Sequence, residues 1–229
     1  MELMDVGERR IQELNVLNQK RYAVTAWFYD ILDYPWERQY RKWRPGLLGD
    51  VRGEVLEVGI GTGRNLKYYR PDVNLTAMDF SPAMLKKASK RCAEASCTVR
   101  FIRDDASQMV SIPSDGCDWV AAFSLCCVLP KDLQARAISE FARVLKPGGR
   151  LVFLEHVGAG RTTTLRKVQR IVRPLWRCIA DGCDPARDTG DAIVEAGFKL
   201  IQFERFKLPL GPVATHIAGV AMSPNCNGA

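Results

Sequence analysis

The chain has 229 residues, of which 47% are hydrophobic and 26% charged, and its formal net charge is +7. This composition suits one α/β domain with additions, and no apolar run approaches the roughly 20 residues that a membrane-spanning helix needs. The eight cysteines form no Cys-x-x-Cys pair and only two histidines are present, so neither a zinc site nor any other metal site is expected.

The first 50 residues carry apolar side chains at helical spacing, among them Ile11, Leu14 and Leu17. We expect a helical extension over 1–50 that is interrupted at Pro35 and Pro45 and that closes over the site as a lid. The start of the chain has no basic segment followed by an apolar stretch, so we expect no secretory leader and a cytoplasmic location.

Short apolar strands alternate with helices in the middle of the chain, and residues 51–229 are predicted to form one domain. The predicted strands cover 55–58, 74–79, 99–102, 119–123 and 151–154. One helix is predicted to begin at Pro82 with Ser81 as its cap, and another to cover 133–145 and end at the Lys-Pro-Gly-Gly segment 146–149. This alternation predicts a parallel sheet with ligands at the carboxyl ends of its strands. The residues that follow the strands at this rim are Gly59, Asp79, Asp105, Ser124 and His156.

Six Lys or Arg residues and no acid lie between Arg161 and Arg177. Apolar residues recur at helical spacing over 165–179, so we predict a basic amphipathic helix, which Pro174 should kink or divide. Such a helix suits an anionic membrane surface, and an ordinary solvated surface helix is the alternative. Segment 161–187 is predicted to be an insertion that shapes the acceptor site. A helix over 188–196 and an antiparallel pair over 198–207 and 216–222 follow.

The first strand runs into the motif Glu-Val-Gly-Ile-Gly-Thr-Gly over 57–63. Glycines allow a tight turn and a close approach to a ligand, and dinucleotide enzymes use a related loop. Here Gly63 comes only two residues after Gly61, where the dinucleotide pattern requires three. The spacing therefore favours a different nucleotide cofactor over a nicotinamide.

Acidic residues end the first three strands. Glu57 is placed to meet an amino group, Asp79 to accept two ribose hydroxyls, and Asp105, with Ala106 after it, to accept an adenine amino group. Each acid alone could be a solvated loop residue, but three acids at successive strand ends favour a cofactor site.

These residues, together with the segment Arg143–Leu151, resemble the class I methyltransferases. The resemblance implies a Rossmann-like, seven-stranded, mostly parallel sheet whose last strand is antiparallel, and S-adenosylmethionine as cofactor. The cofactor contacts implied at matching positions are Tyr22, Tyr29, Glu57, Gly59, Gly61, Gly63, Asp79, Phe80, Asp105, Ala106 and Ser124.

Beyond the cofactor motifs, the segments 154–157, 174–176, 181–183, 209–210 and 216–219 resemble the methyltransferase-like-seven family. That resemblance implies a thiol S-methyltransferase associated with membranes, although this chain lacks the family's apolar N-terminal anchor. The chain is also similar to phospholipid N-methyltransferases and quinone C-methyltransferases. A nucleotide-binding protein that does not methylate is the remaining alternative.

We expect a small apolar or lipid-like acceptor, with a thiol sulfur as the first choice because free thiols are partly ionised near neutral pH. His156 could take the acceptor's proton or orient it, Asp181 could orient His156 or bind a cationic group, and Cys126 and Cys127 could line the pocket. A purely structural histidine is the alternative for His156. The Asn/Asp-Pro-Pro-Tyr/Phe motif of base-modifying enzymes is absent, so no nucleic acid partner is expected, and a monomer is favoured.

Overall fold

The computed structural model describes residues 34–209 and 211–224, and these form one seven-stranded sheet flanked by helices. The strand order is β3-β2-β1-β4-β5-β7-β6. Neighbouring strands from β3 to β5 pair in parallel, and β7 pairs antiparallel with both β5 and β6. The strands are β1 (Gly53–Val58), β2 (Val73–Asp79), β3 (Thr98–Arg103), β4 (Cys117–Phe123), β5 (Leu145–His156), β6 (Lys199–Lys207) and β7 (Thr215–Met222). The predicted Rossmann-like sheet with one reversed strand is confirmed.

Apolar side chains on both faces of the central strands make two core layers. One layer packs Leu56 and Phe153 against Phe141, and the other packs Val55 and Leu75 on the opposite face. A sheet covered on both faces explains why these strands are near-continuous apolar runs in the sequence.

The helices are α1 (Tyr34–Tyr40), α2 (Arg44–Leu48), α3 (Pro82–Lys90), α4 (Lys131–Val144), α5 (Thr164–Ile179) and α6 (Thr189–Glu195). The predicted cap of α3 is confirmed, because the Ser81 side chain accepts a hydrogen bond from the backbone N–H of Met84. No helix among the described residues is long and apolar enough to cross a membrane.

The structure bears on three local expectations, two of which are corrected. The segment 146–149 ends helix α4 but belongs to β5, which begins at Leu145 rather than near 151. The helical segment is interrupted at 41–43, just before Pro45, which lies in the first turn of α2 because proline fits there. Pro35 lies in the first turn of α1, and the interruption predicted there stays a prediction, because the residues before 34 lie outside those described. Finally, α5 continues through Pro174 and is not divided there.

Helix α5 also differs from the prediction in the side it buries. Arg166, one of the six basic residues of this segment, is buried and pairs with Asp188 at 2.6 Å. By contrast, four apolar side chains of this helix are exposed, namely Val168, Ile171, Leu175 and Ile179. The helix therefore leaves an apolar stripe at the surface, and we call these four residues the α5 stripe.

Candidate active site

The carboxyl ends of β1 to β5 form one rim, and a cavity opens there beside the glycine loop. Residues that follow β1, β2, β3 and β4 line it together, among them Gly59, Asp79 and Asp105 of the predicted rim, whereas Ser124 and His156 are not among its lining residues. The lining residues are Val58, Gly59, Met78, Asp79, Phe80, Asp104, Asp105, Ala106, Leu125, Val128 and Leu129.

The glycine loop turns through three residues with positive φ, namely 73° at Gly59, 54° at Gly61 and 81° at Gly63. A Cβ at Gly63 would lie 2.9 Å from Leu66 and 3.0 Å from the backbone of Ala88 in α3. Only glycine accommodates both this conformation and this close packing. The loop leads into a single 3₁₀ turn over Leu66–Tyr68.

Asp79 lies at the end of β2 and is buried against the loop. Its two carboxylate oxygens accept backbone N–H groups from Gly61 and Ser81, each at 2.9 Å. Burial raises the pKa of Asp79 to about 6, while these N–H groups act in the opposite direction. Asp79 lines the cavity as predicted, and its remaining lone pairs can accept ribose hydroxyls.

Glu57 is occupied by protein groups. Asn65 and Tyr69 donate to its two oxygens at 2.7 and 2.8 Å, and Arg44 of α2 donates to the Asn65 side-chain oxygen. Burial raises the pKa of Glu57 to about 7 despite these hydrogen bonds. Glu57 thus anchors the loop to α2, and its predicted contact with an amino group stays a prediction. This network was not predicted from the sequence, because its members lie in loops and a short helix without a motif.

At the end of β3, Asp105 accepts from both the backbone N–H and the hydroxyl of Ser107, each at 2.8 Å. The adjacent Asp104 accepts from the backbone N–H groups of Asp105 and Ser111. These bonds fix the turn so that Asp105 and Ala106 line the cavity together with Phe80, as predicted.

Glu155 is a buried carboxylate that fixes the loop after β4, and it was not predicted from the sequence as a site residue. Glu155 accepts three backbone N–H groups, from Leu125 and Cys126 at 2.9 Å and from Cys127 at 3.0 Å. Burial raises its pKa to about 7, against the effect of these bonds. The loop places Leu125 in the cavity wall, whereas Cys126 lies in the core instead of lining the pocket. Ser124 begins this loop with φ of 55°, and its buried hydroxyl has no partner among the described residues.

His156 ends β5 and is buried. Its Nδ1 lies 3.0 Å from the sulfur of Cys183, and its Nε2 has no hydrogen-bond partner among the described residues. The predicted orienting role of Asp181 is therefore filled by Cys183, two residues further along. A role for Asp181 toward a cationic group stays a prediction.

The second histidine stacks on the first. His216 of β7 pairs with His156 in register, and the ring centroids are 4.9 Å apart. Its Nδ1 donates to the carbonyl of Ala214 at 2.8 Å, so Nε2 is the unprotonated nitrogen, again without a partner among the described residues. Burial lowers the pKa of His216 to about 3, and the neighbouring His156 lowers it further.

Aromatic and apolar side chains surround this histidine pair. Tyr40 and Phe206 contact His216, and Trp176 of α5 meets His156 edge-on. Trp43 stacks on Phe206 at 3.9 Å, and Leu208 belongs to the same apolar cluster. Neither His216 nor Cys183 was predicted from the sequence as a site residue. Tyr22 and Tyr29 lie outside the described residues, as does most of the predicted lid.

Comparison with known proteins identifies the family. Residues 55–149 match the family described as methyltransferase domain. The thiol S-methyltransferase TMT1A of Homo sapiens is 33% identical over 172 residues, which is 73% of this chain and 70% of that protein. TMT1B of Rattus norvegicus is 35% identical over 175 residues, with the same coverage. The chain belongs to the TMT1 family of methyltransferases. It is an S-adenosylmethionine-dependent methyltransferase, which removes the alternative of a nucleotide-binding protein that does not methylate.

Other relatives share the fold with different chemistry. A phosphatidylethanolamine N-methyltransferase of Cereibacter sphaeroides is 37% identical over 105 residues, covering 45% of this chain and 51% of that one. The N-methyltransferase NodS of Bradyrhizobium japonicum WM9 with S-adenosyl-L-homocysteine has a TM-score of 0.61 at 17% identity, covering 82% and 86%. The [4+2]-cyclase SpnF has a TM-score of 0.64 at 19% identity, covering 81% and 80%. The fold alone therefore does not identify the acceptor.

The described residues fit S-adenosylmethionine. Val58, Met78 and Leu125 give the cavity apolar walls, and Asp79 and Asp105 line it with carboxylates, the acceptors that ribose hydroxyls and an adenine amino group require. Their contacts with the cofactor stay predictions. When bound, this cofactor supplies an electrophilic methyl group on a positively charged sulfur. Much of the rate can then come from holding the acceptor in line with that methyl group.

Proposed function

We propose that this enzyme methylates the sulfur of a small apolar thiol. The observation that carries the proposal is the pair of stacked histidines, each with a buried Nε2 that no described residue satisfies. Buried polar nitrogens are nearly always hydrogen-bonded, so a bound molecule is the natural source of the missing partner.

The surroundings of the pair favour a sulfur acceptor of low polarity. Tyr40, Trp176 and Phe206 offer aromatic contacts, and sulfur packs favourably against aromatic rings. A thiol ionises with a pKa of about 8.5, so part of it is already nucleophilic near neutral pH. The TMT1A and TMT1B relatives are named as thiol S-methyltransferases, which supports the same assignment.

The test uses the purified chain with methyl-labelled S-adenosylmethionine and a panel of aliphatic and aromatic thiols. We expect labelled methyl thioethers, with His156→Ala reducing kcat/KM about a hundredfold or more while binding of S-adenosylhomocysteine is retained. The exposed Cys92 provides a control, and Cys92→Ser should match the wild type. Transfer to phosphatidylethanolamine or a quinone with none to any thiol would replace the proposal with one of the two alternative acceptors.

We further propose that α5 brings the enzyme to anionic membrane surfaces, from which an apolar acceptor would partition. The α5 stripe is apolar and exposed, with Ile171 77% and Leu175 68% accessible, and Lys167, Arg170 and Arg177 are exposed on the same helix. An apolar stripe on a helix whose polar face is rich in basic residues is the pattern of an interfacial helix. The location remains a proposal, cytoplasmic and peripheral to the membrane.

The structure determines which residues test this role. Arg166 and Arg173 pair with Asp188 and Asp184, so replacing them would disturb folding contacts. The triple variant of Lys167, Arg170 and Arg177 to Glu leaves those ion pairs intact. We expect this triple variant to lose most of its co-sedimentation with phosphatidylserine vesicles at low salt. The double variant Ile171→Ser with Leu175→Ser should lose co-sedimentation at any salt concentration. Unchanged co-sedimentation of both variants would refute the role of α5.

A further inference from the structure

Two buried thiols lie behind His156. The Cys183 sulfur is 3.0 Å from Nδ1 of the ring, and the Cys127 thiol lies next to the Cys183 thiol, close enough for the two to interact. The backbone joins the same two loops, because Asp184 donates to the carbonyl of Cys127 at 2.9 Å. The three side chains therefore form a fixed row, from Cys127 through Cys183 to His156.

The charge of this row determines where the imidazole hydrogens lie. With no net charge, the Cys183 thiol can donate to a bare Nδ1, or a Cys183 thiolate can accept from Nδ1–H of an imidazolium, and in both states Nε2 carries a hydrogen. A bare Nε2 requires Nδ1–H to donate either to a thiolate, which buries a net negative charge at a high cost, or to a neutral thiol sulfur. The second arrangement is the weaker one, because a thiol sulfur is a poor acceptor whereas a bare imidazole nitrogen is a good one.

We propose that Cys183, supported by Cys127, is a positioning residue that keeps His156 as an N–H donor at Nε2, directed to the acceptor sulfur. The proposal rests on the proposed thiol methylation and sharpens it. His156 then does not remove the acceptor's proton. The acceptor thiol loses that proton to water, and its thiolate accepts the Nε2–H hydrogen bond. The thiolate electron pair forms the new S–CH₃ bond as the donor's C–S bond breaks, and both products are neutral thioethers.

The neighbouring Cys127 thiol and the charge of His156 lower the pKa of the Cys183 thiol well below its ordinary value, so this thiol is a stronger hydrogen-bond donor to Nδ1. The same contact with Cys183 raises the pKa of Cys127, so Cys127 keeps its proton and remains the donor. The titratable groups of the described residues that face this row are His216 from β7, with Tyr40 of α1 against it, and Glu155 from β5 and Cys126 beside Cys127.

The pH dependence of kcat/KM distinguishes an N–H donor from a base. We expect kcat/KM to rise with the fraction of the acceptor that is thiolate. When an aliphatic thiol is replaced by a more acidic aromatic thiol, the inflection of kcat/KM against pH should therefore move to lower pH by the difference between the pKa values of the two thiols. An inflection that stays at one pH for every thiol would identify an enzyme group as the base and overturn the proposal.

A second measurement does not depend on activity. In ¹⁵N NMR of the chain saturated with S-adenosylhomocysteine, Nε2 of His156 should be protonated throughout the pH range in which the fold is stable. Cys183→Ala should mix the two tautomers and lower kcat/KM about tenfold or more, since an imidazole in the wrong tautomer is inactive. Cys183→Ser, whose hydroxyl can donate to Nδ1, should restore the Nε2–H tautomer and part of the rate.

The exposed Cys92→Ser is the matched control and should leave tautomer and rate unchanged. Calorimetric binding of S-adenosylhomocysteine within about twofold of the wild type shows that each variant is folded. A bare Nε2 in the wild-type spectrum, or Cys183→Ala with an unaltered tautomer, would refute the role of Cys183. If no thiol is methylated, the proposed function fails, whereas the spectrum still decides the state of His156.

Discussion

Replacing Glu155 tests whether one buried carboxylate holds the wall of the cofactor cavity. It accepts the N–H groups of Leu125, Cys126 and Cys127, and Glu155→Ala would leave all three without an acceptor. Each orphaned buried N–H costs about 1–3 kcal/mol, and we take the lower end because the cost of burying the carboxylate disappears too. The free energy of unfolding should therefore fall by about 3 kcal/mol or more.

Glu155→Gln refines the same test. One oxygen remains for two of the N–H groups, but the amide NH₂ now faces the N–H of Cys127, so a loss of about 1–3 kcal/mol is expected. Urea denaturation measures both variants, and calorimetry should show weaker binding of S-adenosylhomocysteine because Leu125 lines the cavity. The exposed Asp72→Asn, which alters only a surface ion pair with Arg70, should change neither quantity. A loss under about 1 kcal/mol in Glu155→Ala would refute the reasoning.

Three further predictions concern the glycine loop and the buried acids. Asp79→Asn should weaken binding of S-adenosylhomocysteine about tenfold or more, since hydrogen bonds to a carboxylate contribute about 1.5–3 kcal/mol. The affinity of the wild type should also fall as the pH drops below about 6, where Asp79 takes up a proton. An affinity that calorimetry finds independent of pH would exclude this role of Asp79. Gly63→Ala should destabilise the fold measurably, because its Cβ would meet Ala88 and φ is 81°, and thermal unfolding checks this against Gly46→Ala, whose Cβ meets nothing. The pKa values of Glu57 and Glu155 are raised from 4.5 to about 7, so the folded state binds more protons than the unfolded state between these values. Unfolding free energy from urea titrations should therefore decrease as the pH rises from 5 to 7, and an increase would contradict both assignments.

Much of the cofactor site could be predicted from the sequence because its signals are local. Gly59, Asp79 and Asp105 each follow a strand directly, and parallel strands bring their carboxyl ends to one edge. The helix α3 was predictable for the same reason, as Ser81 and Pro82 mark its start. The acceptor side was less predictable. The role given to Asp181 belongs to Cys183, and nothing in the local sequence distinguishes the two.

The sequence by itself determined the architecture and the cofactor class, because alternating apolar strands, a glycine loop and acids at strand ends are short-range patterns. Only the tertiary structure decided the partners of the buried polar groups. The stacking of His156 on His216 depends on the register of β5 with β7. The thiols of Cys127 and Cys183 meet through loops that are 56 residues apart in the chain. The exposure of the α5 stripe depends on which side of that helix packs against the domain. A helical or strand period reveals that a face is apolar, but long-range packing determines which side chains meet and which face stays at the surface.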